Sequence, residues 1–183
     1  MKADYKVLLD ACVLANFGVC DLYLRLSESP RMLLPKWSQK ILDETYRTQT
    51  NKLDWPEELA DTFQESLKEN FPEAMITGYN ELIKLMKNEK KDRHVLAAAV
   101  REKLDLIVTF NLKDFKEEHL SPWGIKAVHP QDYLLTLYSM NPALVIKRVS
   151  QIAQKKEADI EDVIIELGKA VPLFSSKVLE DLG

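Results

Sequence analysis

The sequence predicts a three-layer α/β/α domain with a central parallel sheet, followed by an α-helical extension. Short apolar segments show no apolar–polar alternation, which is typical of strands buried on both faces of a parallel sheet. Longer segments with apolar residues at three- and four-residue steps separate them, as expected of helices in βα units. No strand candidate follows residue 141. We therefore expect an α/β domain over residues 1–140 and helices over residues 141–183.

Each element rests on a local pattern. Continuous apolar runs predict strands at 6–9, 31–34, 105–109 and 125–128. Helical spacing of apolar residues predicts helices at 12–26, 37–52, 57–69, 78–90, 93–103 and 131–139 in the domain. The helix at 57 follows Trp55-Pro56, and proline in a first turn is a helix-start signal. In the extension, the same spacing predicts helices at 142–156 and 159–170, and Pro172 begins a third short one.

Composition indicates a globular protein with a sizeable core. Of the 183 residues, 46% are apolar and 30% are charged, a balance that argues against disorder. No apolar run approaches the roughly 18 residues that cross a bilayer. The N-terminus lacks the apolar region and cleavage site of a signal peptide. We therefore expect a cytoplasmic protein with no membrane segment. Cys12 and Cys20, eight residues apart in a predicted helix, are expected to be free thiols.

Acidic and amide side chains lie where the predicted strands end. Asp10 follows the first strand, Asn111 and Asp114 follow the third, and Asp92 begins the helix that leads into the third; Glu44 lies on the second helix. Ligands of open parallel sheets bind outside the carboxyl ends of the strands, so these groups have routes to one edge. Singly, each has an ordinary explanation: a cap, a turn residue or a solvated helix residue.

Such a cluster suits a divalent metal. Mg²⁺ prefers oxygen ligands and keeps several waters, and a metal so held activates water and orients a phosphate. Without a cation, clustered carboxylates repel one another and their pKa values rise. The residues alone therefore favour metal-dependent phosphoester chemistry.

Four segments together resemble the PIN-domain ribonucleases. Residues 7–14 (VLLDACVL) are similar to the opening strand and first acid of that family. Residues 91–99 (KDRHVLAAA) are similar to its central motif, in which an aspartate begins a helix rich in small residues. Residues 106–115 (LIVTFNLKDF) resemble the next strand with its Thr-x-(Asp or Asn) turn, and residues 130–134 (PQDYL) the closing segment. The resemblance covers about residues 5–138.

The resemblance implies a central parallel sheet, Mg²⁺ or Mn²⁺ at the carboxylates, and endonucleolytic cleavage of RNA. Asp10 matches the first family acid, Glu44 the second and Asp92 the third, and these three are the implied metal ligands. Asp43 competes with Glu44 for the second position. The fourth position, often aspartate, is Asn111 here, which supplies a carbonyl oxygen without charge.

This departure puts a second metal in doubt. Asp114, three residues beyond Asn111, either compensates for the missing charge or caps the short helix after it. Three further residues are substrate-binding candidates. Asn16 either orients a ligand or is a surface helix residue, Thr109 bonds to Asp10 or to a metal-bound water, and Arg93 contacts phosphate.

Charge does not decide whether the partner is a nucleic acid. The net charge is −4, whereas nucleic-acid binders often carry a basic surplus. A basic stretch before the helix at 93 could steer a phosphate backbone, although Glu81 and Glu89 interrupt it and a solvated face is an equal interpretation. The stretch comprises Lys84, Lys87, Lys90, Lys91 and Arg93.

The leading hypothesis is a toxin of the VapC type from a toxin–antitoxin pair. The resemblance implies an RNA substrate, an antitoxin whose tail blocks the active site, and a possible homodimer. A catalytically weakened PIN-like scaffold that binds RNA or protein is the alternative, and Asn111 favours it. A phosphatase or phosphotransfer receiver is disfavoured, because Cys12 replaces the second acid of such enzymes and Leu8 and Leu9 replace a preceding acidic pair.

Overall fold

A five-stranded parallel sheet forms the centre of the protein, which is described by a computed structural model over residues 5–183. The strand order is β3-β2-β1-β4-β5, and every pair of neighbours is parallel. The strands are β1 (Lys6–Leu9), β2 (Leu34–Ser38), β3 (Met75–Ile76), β4 (Leu106–Val108) and β5 (Lys126–Val128). Val7, Leu8 and Leu9 are all fully buried, so both faces of the central strand are covered. The predicted parallel α/β sheet is confirmed.

The described residues form ten α-helices. The first seven are α1 (Ala11–Ala15), α2 (Phe17–Leu26), α3 (Gln39–Lys52), α4 (Glu57–Asn70), α5 (Arg93–Glu102), α6 (Glu117–Leu120) and α7 (Pro130–Met140). Three more follow, α8 (Pro142–Lys156), α9 (Ile160–Leu167) and α10 (Pro172–Leu182). No helix within residues 5–183 is long and apolar enough to cross a membrane. Residues 1–4, which belong to the segment searched for a signal peptide, lie outside the described range.

The second strand begins at Leu34 and not at residue 31, so the prediction of a strand at 31–34 was wrong. Pro35 lies inside the strand, although proline cannot donate to a ladder. Here Leu34 donates to the carbonyl of Tyr5 on the β1 side, so the nitrogen of Pro35 faces the β3 side. Strand β3 pairs only with Trp37 and Ser38, and Pro35 therefore leaves no ladder bond unmade.

Two further predictions, both of helices, differ from the structure. The helix expected at 12–26 is broken at Asn16, whose side chain accepts a hydrogen bond from Val19 N and begins a new helix. The helix expected at 78–90 is absent, and 3₁₀ turns at Asn80–Leu85 and Lys90–Asp92 take its place. The first turn buries none of its residues, so it lacks the apolar face that stabilises an amphipathic α-helix.

The C-terminal helices pack onto the domain. Val145, Val149 and Ile152 of α8 are buried in the same apolar core as the sheet. The buried Arg148 adds polar contacts, since its Nη2 donates to the carbonyls of Glu28 and Ser29 in the loop after α2 at 3.0 and 3.2 Å. Helices α8–α10 are therefore integrated with the rest of the molecule.

Candidate active site

Asp10 lies at the carboxyl end of the central strand and caps α1. One carboxylate oxygen accepts from Ala11 N at 2.8 Å, and the other accepts from Thr109 Oγ1 at 2.7 Å and from Cys12 Sγ at 3.3 Å. Only 4% of Asp10 is exposed. Burial raises its pKa, the three hydrogen bonds oppose that rise, and the charge of Glu44 adds to it. A carboxylate held this way is oriented for a ligand and poorly placed to attack a substrate as a nucleophile.

Thr109 joins the ends of two neighbouring strands. Its hydroxyl donates to Asp10 and accepts from Asn111 N at 3.0 Å, so it fixes the turn that presents Asn111 beside the first acid. The side chain of Asn111 makes no capping hydrogen bond to the 3₁₀ turn Leu112–Asp114 that follows it. Its amide oxygen therefore remains free of that structural role.

Cys12 belongs to this network, which the sequence did not indicate. Its Sγ donates to Asp10, lies 3.4 Å from Thr109 Oγ1 and accepts from Phe110 N. Burial, followed by the charge of Asp10, raises the pKa of the thiol to about 12. Cys12 therefore stays protonated and acts as a donor that holds Asp10. Only proximity in the fold reveals the role, because a lone cysteine after an aspartate carries no specific signal.

Glu44, and not Asp43, faces the site. Glu44 Oε1 lies 2.9 Å from Nε2 of His94, and its charge raises the pKa of both Asp10 and Asp92. Asp43 instead accepts from Gln39 Nε2 on the exposed side of α3. His94 is 1% exposed, so it is a packed residue that borders the acids.

Asp92 stands directly before α5 and does not cap it. Its side chain makes no capping hydrogen bond, and its buried Oδ2 has no hydrogen-bond partner within residues 5–183. Burial raises its pKa to about 6; the ammonium of Lys91 opposes this, and the charges of Asp10, Asp114 and Glu44 add to it. An acid that lies among three other acids and is offset only in part by one ammonium is the arrangement that a bound cation relieves.

Asp114 extends the cluster and pairs with a lysine. Its Oδ2 lies 2.9 Å from Lys91 Nζ, and the same ammonium is 3.8 Å from Asp92. The N-cap of the following helix α6 is Lys116, so the alternative that Asp114 caps that helix was wrong. The Asp114 carboxylate is the main cause that raises the pKa of Lys91.

The donors suit a hydrated divalent ion, although they do not form a closed cage. Among residues 5–183, no group of three or more His, Cys, Asp or Glu side chains is arranged to hold a metal directly. Mg²⁺ keeps several waters and is commonly bound through one or two carboxylates. The hydrogen-bonded carboxylate of Asp10 and the buried oxygen of Asp92, which accepts no hydrogen bond from residues 5–183, fit that requirement.

The other two substrate-binding candidates, Asn16 and Arg93, make their hydrogen bonds outside the acidic cluster. Asn16 joins α1 to α2, and its side-chain oxygen caps α2. Arg93 Nε donates to the carbonyl of Asn88 at 3.2 Å, which holds the guanidinium beside Asp92 in the chain and over a neighbouring pocket.

Replacing Thr109 with valine is expected to slow cleavage of RNA, the substrate that the resemblance to PIN-domain ribonucleases implies, about 10- to 100-fold, the usual cost of losing a group that orients a metal ligand. Valine keeps the shape but removes the hydroxyl that bonds Asp10 and Asn111 N. Initial cleavage rates at saturating metal measure the effect. Thr109→Ser should restore most of the rate, and wild-type rates in the valine variant would show that the hydroxyl has no such role.

Replacing Lys91 with methionine is expected to raise Mn²⁺ affinity about five- to tenfold, as removing a nearby unit charge is worth on the order of 1 kcal/mol or more. The ammonium competes with a cation because it pairs with Asp114. Calorimetric titration measures the change, with Lys84→Met as the control, since Lys84 pairs with Glu81 on an exposed turn. Weaker binding by Lys91→Met would contradict the competition.

One known protein is similar to part of the chain. No protein-family model and no solved structure matches the chain significantly. Among curated proteins, the chain is 44% identical over 107 residues to the Mycobacterium tuberculosis protein named "Putative ribonuclease VapC50". The name of this relative agrees with the resemblance to VapC-type ribonucleases. The match covers 57% of the chain and 63% of the relative, and the parallel sheet with its helices is a PIN-like α/β/α fold.

Proposed function

We propose that the chain is a metal-dependent endoribonuclease. The observation that carries the proposal is Asp92, a largely buried carboxylate. One of its oxygens accepts no hydrogen bond from residues 5–183, and its pKa is raised partly by three other acids at the same end of the sheet. The similarity to a protein named as a ribonuclease supports RNA as the substrate. The acids alone fit any phosphodiester.

Asp10, Asp92 and Glu44 would hold the cation, Mg²⁺ or Mn²⁺, in part through bridging waters. When bound, that ion supplies charge to the scissile phosphate and lowers the pKa of a coordinated water. Thr109 and Cys12 keep the Asp10 carboxylate in one orientation. Asn111 and Asp114 stand at the next strand end, where an amide oxygen and a carboxylate can position water or substrate.

We further propose that the enzyme is a toxin that works in the cytoplasm and is restrained by an antitoxin. The VapC-type relative supports this assignment, and a homodimer is part of the same proposal.

A PIN-like scaffold with weakened catalysis is the second candidate. Asn111 favours it, because an amide replaces a charged ligand, and so does the lack of a closed three-ligand group in residues 5–183. The two candidates differ in one measurable property, since a scaffold without activity has no need of a metal site.

Cleavage of a mixed, structured RNA pool tests the proposal. The purified protein and Asp10→Asn are compared in Mg²⁺, in Mn²⁺ and in EDTA. We expect internal cuts that require metal and disappear in the variant, because Asn cannot supply the charge of Asp10 while the fold is retained. Metal-independent cutting, or equal cutting by Asp10→Asn, would refute the shared metal site.

A further inference from the structure

A basic pocket borders the carboxylates on the side of α5. It has a volume of about 280 Å³ and is formed by the turns before α5 and after β4. Five of its lining side chains are cations, namely Lys87, Lys90, Arg93, Lys113 and Lys116. The others include Glu89, Asp114 and His119, so positive charge predominates.

These five cations lack carboxylate partners. None of them forms an ion pair with any residue in 5–183, whereas Lys84 and Lys91 of the same basic stretch pair with Glu81 and Asp114. Unpaired cations that surround a concave surface attract an anion at little cost, because no existing pair must be broken. The pocket thus differs from an ordinary solvated face, in which opposite charges alternate and pair.

Asn88 supplies an independent sign of a missing ligand. It lines the pocket and is 2% exposed, yet neither its amide nitrogen nor its amide oxygen bonds to any described residue. A buried amide that makes no hydrogen bond destabilises the free protein. Such a cost is commonly retained where a bound group completes the hydrogen bonds.

We propose that this pocket binds a backbone phosphate of the RNA next to the one that is cut. The inference rests on the proposed ribonuclease function and deepens it. Asp114 belongs to both the pocket and the acidic cluster, so a strand anchored by Lys113, Lys116 and the Asn88 amide passes directly beside the acids. The anchor fixes which phosphate reaches the carboxylates and thereby sets the register of cleavage.

RNA binding by the cleavage-deficient Asp10→Asn protein tests this anchor. Fluorescence anisotropy of a short labelled single-stranded RNA is measured over a series of salt concentrations. Combining Lys113→Gln with Lys116→Gln should weaken binding about tenfold or more and reduce the salt slope by about 1, as expected when phosphate contacts are lost. Lys147→Gln, an exposed lysine of α8, is the matched control and should change neither quantity.

Asn88→Leu separates a ligand role from a structural role. Leucine has a similar volume and removes the unsatisfied amide, so the melting temperature of the free protein should rise while RNA affinity falls several-fold with an unchanged salt slope. A residue that merely supported the fold would lower both the melting temperature and the affinity.

The outcomes are distinguishable. If the double lysine variant and Asn88→Leu both bind RNA as tightly as Asp10→Asn alone, the phosphate-binding pocket is refuted. The proposed ribonuclease function would then still stand. No RNA binding by Asp10→Asn, together with no cleavage by the wild type, overturns both.

Discussion

The Asp92→Asn variant is expected to lose at least about a hundredfold in RNA cleavage and to melt at a higher temperature than the wild type when both are free of metal. The two changes have one cause. The Asp92 carboxylate is largely buried beside three other acids, and the amide removes a charge that the Lys91 ammonium, 3.8 Å away, offsets only in part.

The stability change has a defined pH range. The pKa of Asp92 is raised from its ordinary value of 3.8 to about 6, chiefly by burial. Because the pKa is higher in the folded protein, the protonated carboxyl favours folding. Its contribution to stability is complete below the unfolded value of 3.8 and is lost as the pH rises through the folded value of about 6. Wild-type stability should therefore fall between about pH 4 and pH 6, a fall that Asp92→Asn lacks. At pH 7 the variant should be about 1–2 kcal/mol more stable, after a reduction for partial solvation.

Thermal melting at several pH values, with and without Mn²⁺, measures this prediction. Added metal should stabilise the wild type and have little effect on Asp92→Asn. Asp43→Asn is the matched control, because Asp43 is an exposed acid that bonds Gln39 outside the site. A variant that melts below the wild type at pH 7, or that cleaves at the wild-type rate, would show that Asp92 has another role.

The Arg148→Ala variant is expected to lower the free energy of unfolding by about 2–3 kcal/mol. This is the usual effect of leaving several buried polar groups without hydrogen-bond partners. Arg148 is 4% exposed and its guanidinium binds Gln151 and the carbonyls of Glu28, Ser29 and Pro30. Its removal deprives the loop after α2 of a shared donor and leaves a cavity under α8.

Chemical denaturation measures the loss. Lys147→Ala serves as the control, because this neighbour is exposed on the same helix and its change should stay within about 0.5 kcal/mol. Both proteins should unfold in a single transition, since α8 shares the core of the sheet. An early separate transition in Arg148→Ala, with the main midpoint unchanged, would show that the C-terminal helices unfold independently.

Much of the fold follows from local patterns. Strand β1 and helix α8 match the predicted ranges because their apolar residues have one dominant period and clear ends, at Asp10 and at Pro142. Strand β2 was misplaced because the tolerance of Pro35 depends on the short β3, which lies forty residues away in the chain. Strand β3 is two residues long and has no period to detect.

Some residues of the candidate site could likewise be predicted from local patterns, and others could not. Asp10 and Asp92 stand at strand and helix ends, which sequence patterns locate well. The choice of Glu44 over Asp43 came from family resemblance and is supported by which side of α3 faces His94. The contacts of Cys12 and Lys91 depend on distances between separate turns, which no local pattern contains.

Calorimetric titration with Mn²⁺ tests the central claim most directly, because it detects the carboxylate site without requiring the correct RNA. The wild type should show saturable binding, Asp10→Asn should lose most of it, and Asp43→Asn should keep it. No saturable binding by the wild type, or equal binding by Asp10→Asn, would contradict a metal held by these acids and would favour the scaffold that Asn111 suggests.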